Sequence, residues 1–222
     1  MNKGKAEKAG KRFNKFHLAL QLRAIGLLIE EGMPLKEAVG IVISSGIEGE
    51  ALKALARCQA GLTKGDSLAV SLHEAGFPPL IVQTVAAGEE KGKLGYALKL
   101  LSDELERQII CKPGKDLGGQ ATIMTHVLTI TQAMGIPLIH GVGIAAGMLE
   151  HTGLRNALLK VEDDLSNGVS FADALEKHPN VMGKFYVNCV RAGEKSGHLD
   201  ITLGRLALFL DRMLKMQEKS AK

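Results

Sequence analysis

Gly88-Glu89-Glu90-Lys91-Gly92-Lys93 is the segment of this 222-residue chain whose residue types come nearest to a phosphate-binding loop. A nucleotide loop of that kind needs four residues between its glycines and a Ser or Thr after the lysine to hold magnesium. Here three residues separate the glycines, and Leu94 stands where the hydroxyl should be. Gly141-x-Gly143-x-x-x-Gly147 lies within a helical pattern with no strand before it, so no dinucleotide site is expected there. His-Glu-x-x-His and Gly-x-Ser-x-Gly are both missing, and the histidines at 17, 73, 126, 140, 151, 178 and 198 are not spaced as ligands with cysteines or carboxylates. His126 and His140 read as core or interface histidines, and Glu162-Asp163-Asp164 as a solvated helix face. The expectation is a non-enzyme with no catalytic residues, cofactor or metal.

The residues that recur point elsewhere. Gly32-Met33-Pro34-Leu35 returns as Gly135-Ile136-Pro137-Leu138, and Gly65-Asp66-Ser67-Leu68-Ala69 as Gly168-Val169-Ser170-Phe171-Ala172, both 103 residues on. After a two-residue insertion, Ala87-Gly88-Glu89-Glu90-Lys91-Gly92-Lys93-Leu94 aligns with Ala192-Gly193-Glu194-Lys195-Ser196-Gly197-His198-Leu199. A fixed offset over three motifs marks two copies of one unit. The expected organisation is a basic tail over 1–15, a first unit over 16–110, a linker over 111–119, a second unit over 120–214 and a basic tail over 215–222.

Each copy reads as helices throughout, giving an all-α fold of two tandem homologous six-helix antiparallel bundles. Leu20, Ala24 and Leu27 make a stripe at i, i+4, i+7, repeated by Ile123, Val127 and Ile130. Gly32 and Gly135 suit the left-handed position just past a helix end, and Pro34 and Pro137 the first turn of the next helix. A third helix fits roughly 48–62. Ser67 and Ser170 are placed to cap a short fourth helix, with Asp173 completing a Ser-x-x-Asp box in copy two. A fifth helix follows Pro78-Pro79 and ends at Gly92. The last shows Leu94, Leu98, Leu101 and Leu105, or Leu199, Leu203, Leu206 and Leu210, on one face. The glycines and proline of Cys111–Gly119 read as a short flexible joint.

Composition fits that reading. The chain is 45% hydrophobic and 23% charged, which excludes wholesale disorder, and only 4% aromatic. Cys58, Cys111 and Cys189 are odd in number and far apart, so a disulfide framework is excluded and a reducing compartment fits. No secretory signal opens the chain. Residues 117–149 lack Asp, Glu, Lys and Arg until Glu150, but the many Thr, Gln, Gly and His side chains there argue against a membrane span. The net charge of +4 divides into +5 over 1–15, +3 over 212–222 and −4 over the body between them. Two basic ends read either as solvated tails or as contacts to an anionic surface, lipid headgroups or nucleic acid. Nucleic acid is disfavoured by the acidic body and the lack of an aromatic stacking platform.

Gly-Glu-x-x-Gly-x-Leu is the most specific pattern because it occurs twice. Gly88 and Gly193 remove a side chain where two helices approach, and Gly92 and Gly197 supply a turn. Glu89 and Glu194 have two readings: bonds to backbone donors at a neighbouring helix start, or an ion pair across an interface.

An apolar helix ending in Gly-x-Pro-Leu, then Gly-x-Ser-Leu/Phe-Ala, then Gly-Glu-x-x-Gly-x-Leu, resembles the F domain of type II secretion systems (the GspF/PilC family). The resemblance covers both copies. It implies two six-helix cytoplasmic bundles of an inner-membrane assembly platform, coupling an assembly ATPase to growth of a pilin-like filament without catalysis of its own. It implies as partners that ATPase, other inner-membrane platform components and further copies of the chain, at the cytoplasmic face of the inner membrane, with peripheral contact to anionic lipid through the basic ends. The signature positions carried over are Gly32, Pro34, Gly88, Glu89 and Gly92, with Gly135, Pro137, Gly193, Glu194 and Gly197. A cation site described in some members would fall on Glu89 and Glu194. Members usually carry membrane helices between the domains and after the second; here a short joint stands in the first place, as in a soluble relative or a chain missing those segments.

Comparing the copies adds one expectation. Arg23, Glu30, Glu31, Lys36 and Glu37 become His126, Ala133, Met134, Ile139 and His140 in copy two. Loss of every full charge from a hairpin suggests either a covered face, packed on copy one, a second subunit or a membrane partner, or drift on an exposed one.

Overall fold

The computed structural model describes residues 13–45, 49–111 and 113–220, and the side chains of all of these except 111 and 218–220. Residues 1–12 and 221–222 of the expected basic tails, and residue 48 of the expected third helix, lie outside the described residues. The described residues are helical or in turns, with no strand among them. They fall into two compact units, 1–110 and 111–222.

In the first unit the chain runs through α1 (Lys15–Glu30), α2 (Leu35–Ser44), α3 (Glu50–Lys64), α4 (Leu68–Glu74), α5 (Pro79–Glu90) and α6 (Leu94–Cys111). The second repeats the order as α7 (Leu117–Ala133), α8 (Leu138–Met148), α9 (Thr152–Ser166), α10 (Phe171–Glu176), α11 (Lys184–Ser196) and α12 (Leu199–Ser220). Within each unit successive helices pack on one another, α5 meeting α6 where Gly88 faces Ala97, and in the second unit α12 returns to lie along α7. In the first, Gly26 of α1 meets Leu98 and Gly95 of α6, which brings its first and last helices together in the same way. Among the described residues no helix is long and apolar enough to cross a membrane.

Local chemistry sets the helix ends. Gly32 and Gly135 take φ of 87° and 65°, and the amide after each bonds back into the last turn, Met33 to Leu28 and Ile136 to Thr131. Pro34 and Pro137 sit one residue earlier than expected, at the cap, where the Pro34 carbonyl accepts from Glu37 and Ala38. The third helix is shifted to Glu50–Lys64 because Gly49 and Gly65, at φ of 144° and 99°, bracket it. Asp116 accepts from the Gly119 amide, so α7 starts at Leu117, inside the stretch read as linker. Gly119 is helical and packed, since a Cβ there would come within 2.5 Å of Gly114 backbone atoms. Residues 215–220 continue α12 rather than forming a separate tail.

The cores are mainly aliphatic, built around Leu22, Leu55, Leu72 and Leu98 in one unit and around Leu128, Leu175 and Leu203 with the aromatic Phe171 in the other. The leucine face read for α6 and α12 points inward, with Leu98, Leu101, Leu203 and Leu206 buried. The stripe read for α1 does not. Leu20 and Leu27 are 39% and 54% exposed, while Leu18, Leu22 and Ile25 are buried. Helix α1 is apolar nearly all round, so spacing cannot choose its inner face; the close approach at Gly26 does. In α7 the sister residues Val127 and Ile130 are buried.

Cys58 is buried and free, its Sγ–H donating to the Ser71 carbonyl at 3.4 Å, and burial pushes its thiol up to about 11. Cys189 is also free and half-buried.

Candidate functional site

The twice-used signature forms one corner in each unit, where the fifth helix of a copy turns into the sixth beside the start of the short fourth. Ser67 and Ser170 cap α4 and α10 as expected, accepting from Val70 and Asp173 at 3.2 and 3.1 Å. That leaves the first two amides of each short helix. Glu89 takes both in the first unit, Oε1 from Leu68 at 2.7 Å and Oε2 from Ala69 at 3.1 Å. Glu194 does the same in the second, from Phe171 at 2.7 Å and Ala172 at 2.9 Å. A carboxylate at a helix start meets both unsatisfied donors and the positive end of the backbone dipole. Of the two sequence readings for these acids, backbone donors at a neighbouring helix start is the one found.

The glycines make that reach possible. A Cβ on Gly88 would lie 2.7 Å from Ala97 Cβ, and one on Gly193 would lie 2.7 Å from Thr202 Oγ1 and 2.8 Å from Thr202 Cβ. Gly92 and Gly197, at φ of 63° and 72°, then reverse the chain, and the following amides bond to Gly88 and Gly193 carbonyls at 2.7 and 3.0 Å.

A shallow groove of about 520 Å³ borders the first corner, lined by Ile29, Glu30, Gly88, Glu89, Lys93 and Tyr96 among others. Its rim differs between copies by an exchange that the sequence comparison missed. Gly95 is empty of side chain because Glu30 lies over it, with a Cβ there coming within 2.7 Å of Glu30 Cγ. The second copy carries Ala133 for Glu30 and Asp200 for Gly95, so the carboxylate has moved across the corner rather than vanished. Reading Ala133 together with Asp200 could have found this.

The hairpin residues read as one covered face are divided. Met134 is buried, Ile139 half-buried, and Ala133 and His140 exposed. His126 hydrogen-bonds Asp211 of α12 through Nε2 at 3.0 Å. Its sister Arg23 pairs with Asp103 and, at 3.0 Å, with Glu106 of α6. The tie between first and last helix is therefore kept in both units, by a guanidinium in one and an imidazole in the other. What reads in sequence as lost charge is, at His126, a change of base.

Asp173, placed in sequence as a capping-box partner, is held below the usual carboxylate range first by Arg191 and then by Ser170. Tyr186 is buried with its hydroxyl 3.0 Å from Thr125, and burial raises that hydroxyl well above the ordinary tyrosine value. In the two-residue-longer turn before α11, His178 Nε2 is buried with no hydrogen-bond partner among the described residues. Burial first, then Lys160, hold the ring below the usual histidine value. A base depressed in the fold binds fewer protons than in the unfolded chain, so its contribution is present above the ordinary histidine range and lost as pH falls through the folded value. Thermal unfolding of His178→Gln should lose less stability than the parent between neutral and mildly acidic pH; parallel curves would remove His178 from that role. Among the described residues no group of three acids, histidines or cysteines is arranged to hold a metal.

Residues 22–111 and 124–222 each match the family described as Type II secretion system (T2SS), protein F. A type IV pilus assembly protein PilC of Thermus thermophilus is 37% identical over 61% of this chain and 31% of its own length. A type II secretion system protein F of Vibrio cholerae is 29% identical over 78% of the chain and 40% of its own. A type 4 fimbrial assembly protein PilC of Pseudomonas putida is 33% identical over 72% and 38%. The chain thus spans less than half the length of the relatives it matches.

Proposed function

Because the chain belongs to the type II secretion system protein F family, we propose that it is a non-enzymatic scaffold of a type II secretion or type IV pilus machine. In that role it binds a cytoplasmic assembly ATPase and other platform components, assembles with its own kind, and works at the cytoplasmic face of the inner membrane. The reading is supported by the family match over both copies and by relatives whose names place them in type IV pilus assembly and type II secretion.

The observation that carries it is the occupation of the repeated corner. In each copy the signature acid is tied by both oxygens to backbone amides of its own unit. The signature is thus a device for building the bundle, and the outward side chains around it, such as Lys93 and Tyr96, are left to meet partners. Coupling between proteins needs such rigid elements presenting side chains, and no chemistry at the corner itself.

Co-expression of the chain with the assembly ATPase from its own genome, followed by cross-linking and affinity purification, tests the proposal. Recovery of the ATPase with the chain, weakened by Lys93→Glu with Tyr96→Ala, is the expected result. Failure to recover it, together with normal piliation and secretion in a deletion strain, would overturn the scaffold role.

A further inference from the structure

Helix α12 exposes one side that is rich in apolar and basic residues. From Ile201 to Met216 its exposed residues include five apolar ones: Ile201 at 47%, Leu208 at 61%, Phe209 at 43%, Met213 at 41% and Met216 at 63%. The remaining exposed residues in that stretch are Arg205, Arg212 and Lys215. Within this stretch no acid is exposed; Thr202 is half-buried on the same side, and the exposed Asp200 and Gln217 stand just outside its two ends. The helix's one acid there, Asp211, is turned inward to His126. At 100° per residue these positions fall within one continuous arc, opposite the buried Leu203 and Ala207. The patch continues onto α11, where Phe185, 59% exposed, stacks obliquely on Phe209 with ring centres 5.2 Å apart.

The helix register does not call for this. At the sister positions of Leu208 and Phe209, α6 carries Asp103 and Glu104, with Glu104 bonded to Arg107 at 2.7 Å. Where the first unit places one exposed acid and one buried acid, the second exposes two apolar side chains, on a face that runs over roughly four turns and about 24 Å. Isolated exposed apolar residues are ordinary; an apolar arc whose only charges are Arg and Lys, on an otherwise acidic body, is not.

We propose that this face of α12 is an anionic-lipid contact surface. Leu208, Phe209 and the methionines enter the boundary between headgroups and acyl chains, while Arg205, Arg212 and Lys215 extend along the helix to headgroup phosphates. The charge pattern chooses this occupant. A protein partner of ordinary surface would present both signs to the arc, whereas a bilayer rich in anionic lipid presents one sign over its whole extent. The face also orients the unit, because the acidic remainder of the body is repelled from the same bilayer. This inference differs from the basic-tail reading in placing the contact on an ordered helix, and it does not depend on the assembly role proposed above.

Flotation with extruded vesicles tests it, using phosphatidylcholine alone and phosphatidylcholine with about one third phosphatidylglycerol. The parent chain should float with the anionic vesicles and stay below the neutral ones. Leu208→Gln with Phe209→Gln leaves every charge of the chain in place and should reduce flotation at least about tenfold, with helical circular dichroism unchanged. Should that variant fail to fold, Arg212→Gln with Lys215→Gln, two exposed polar changes, decides instead and should show the same loss. Flotation equal to the parent in a folded variant overturns the proposal. So does a parent that never floats but sediments as a dimer that Leu208→Gln with Phe209→Gln dissociates, which would assign the face to a second copy of the chain.

Discussion

Alanine at Glu194 is expected to cost the second unit about 2–4 kcal/mol, among the largest effects any half-exposed position in this protein can have. The carboxylate serves two amides at once, at 2.7 and 2.9 Å, and both belong to the first turn of a helix only six residues long. Charge-assisted bonds of this kind contribute about 1.5–3 kcal/mol each, reduced here by partial solvent access. Helix α10 has little of its own to fall back on, since a helix so short does not hold without tertiary support. Glutamine restores one acceptor but turns an amide N–H toward a backbone N–H, so it should recover half of the loss or less. Glu89→Ala should act equally on α4, through Leu68 and Ala69. Denaturant unfolding measures the loss, and amide exchange at Phe171 and Ala172 should quicken before the rest of the unit. A Glu194→Ala protein within about 0.5 kcal/mol of the parent would refute the assignment.

The second large effect is at Gly193. Its missing side chain lets α11 approach α12 so closely that a Cβ would overlap Thr202 at both Oγ1 and Cβ. Gly193→Ala should therefore destabilise by about 1–3 kcal/mol although alanine is the better helix former. The compensating change is Thr202→Gly, which clears the space at a helix cost of about 1 kcal/mol. The double variant should be more stable than the sum of the two single losses implies, by about 1 kcal/mol or more in a double-mutant cycle. Additive losses would mean the close approach is not what the glycine is for. Because Gly193 precedes Glu194, the alanine variant should also lengthen the Glu194 bonds, seen as faster exchange at Phe171.

How far sequence reached is clearest at this same corner. The repeat, the left-handed glycines and the serine caps were legible because each is a local backbone requirement with few residue solutions. The two readings of Glu89 and Glu194 could not be separated, because the amides they serve lie 20 to 23 residues upstream and nothing local identifies them. The inner face of α1 was illegible for another reason: apolar residues surround it, and only contact at Gly26 breaks the tie. Copy-to-copy comparison treated positions singly, so it recorded Glu30 becoming Ala133 as a loss. The compensating acid, Asp200, stands on a different helix. His126 misled for the same cause, since its meaning rests on Asp211, 85 residues away.

The closure of each unit through its outer helices has a consequence for how such proteins are assembled in evolution. Arg23 reaches residues 103 and 106 while Gly26 lies beside Leu98 and Gly95, so α1 and α6 run in opposite directions. Gly118 beside Leu214, His126 on Asp211 and Thr129 near Gly204 show the same of α7 and α12. The chain consequently enters and leaves each bundle at one end. A fold of that kind is a cassette: it can be copied in tandem, or spliced between unrelated segments, by a short stretch of chain and without disturbing its core. The same property makes a single bundle a candidate for circular permutation, with its outer helices joined and a new opening cut at an exposed turn.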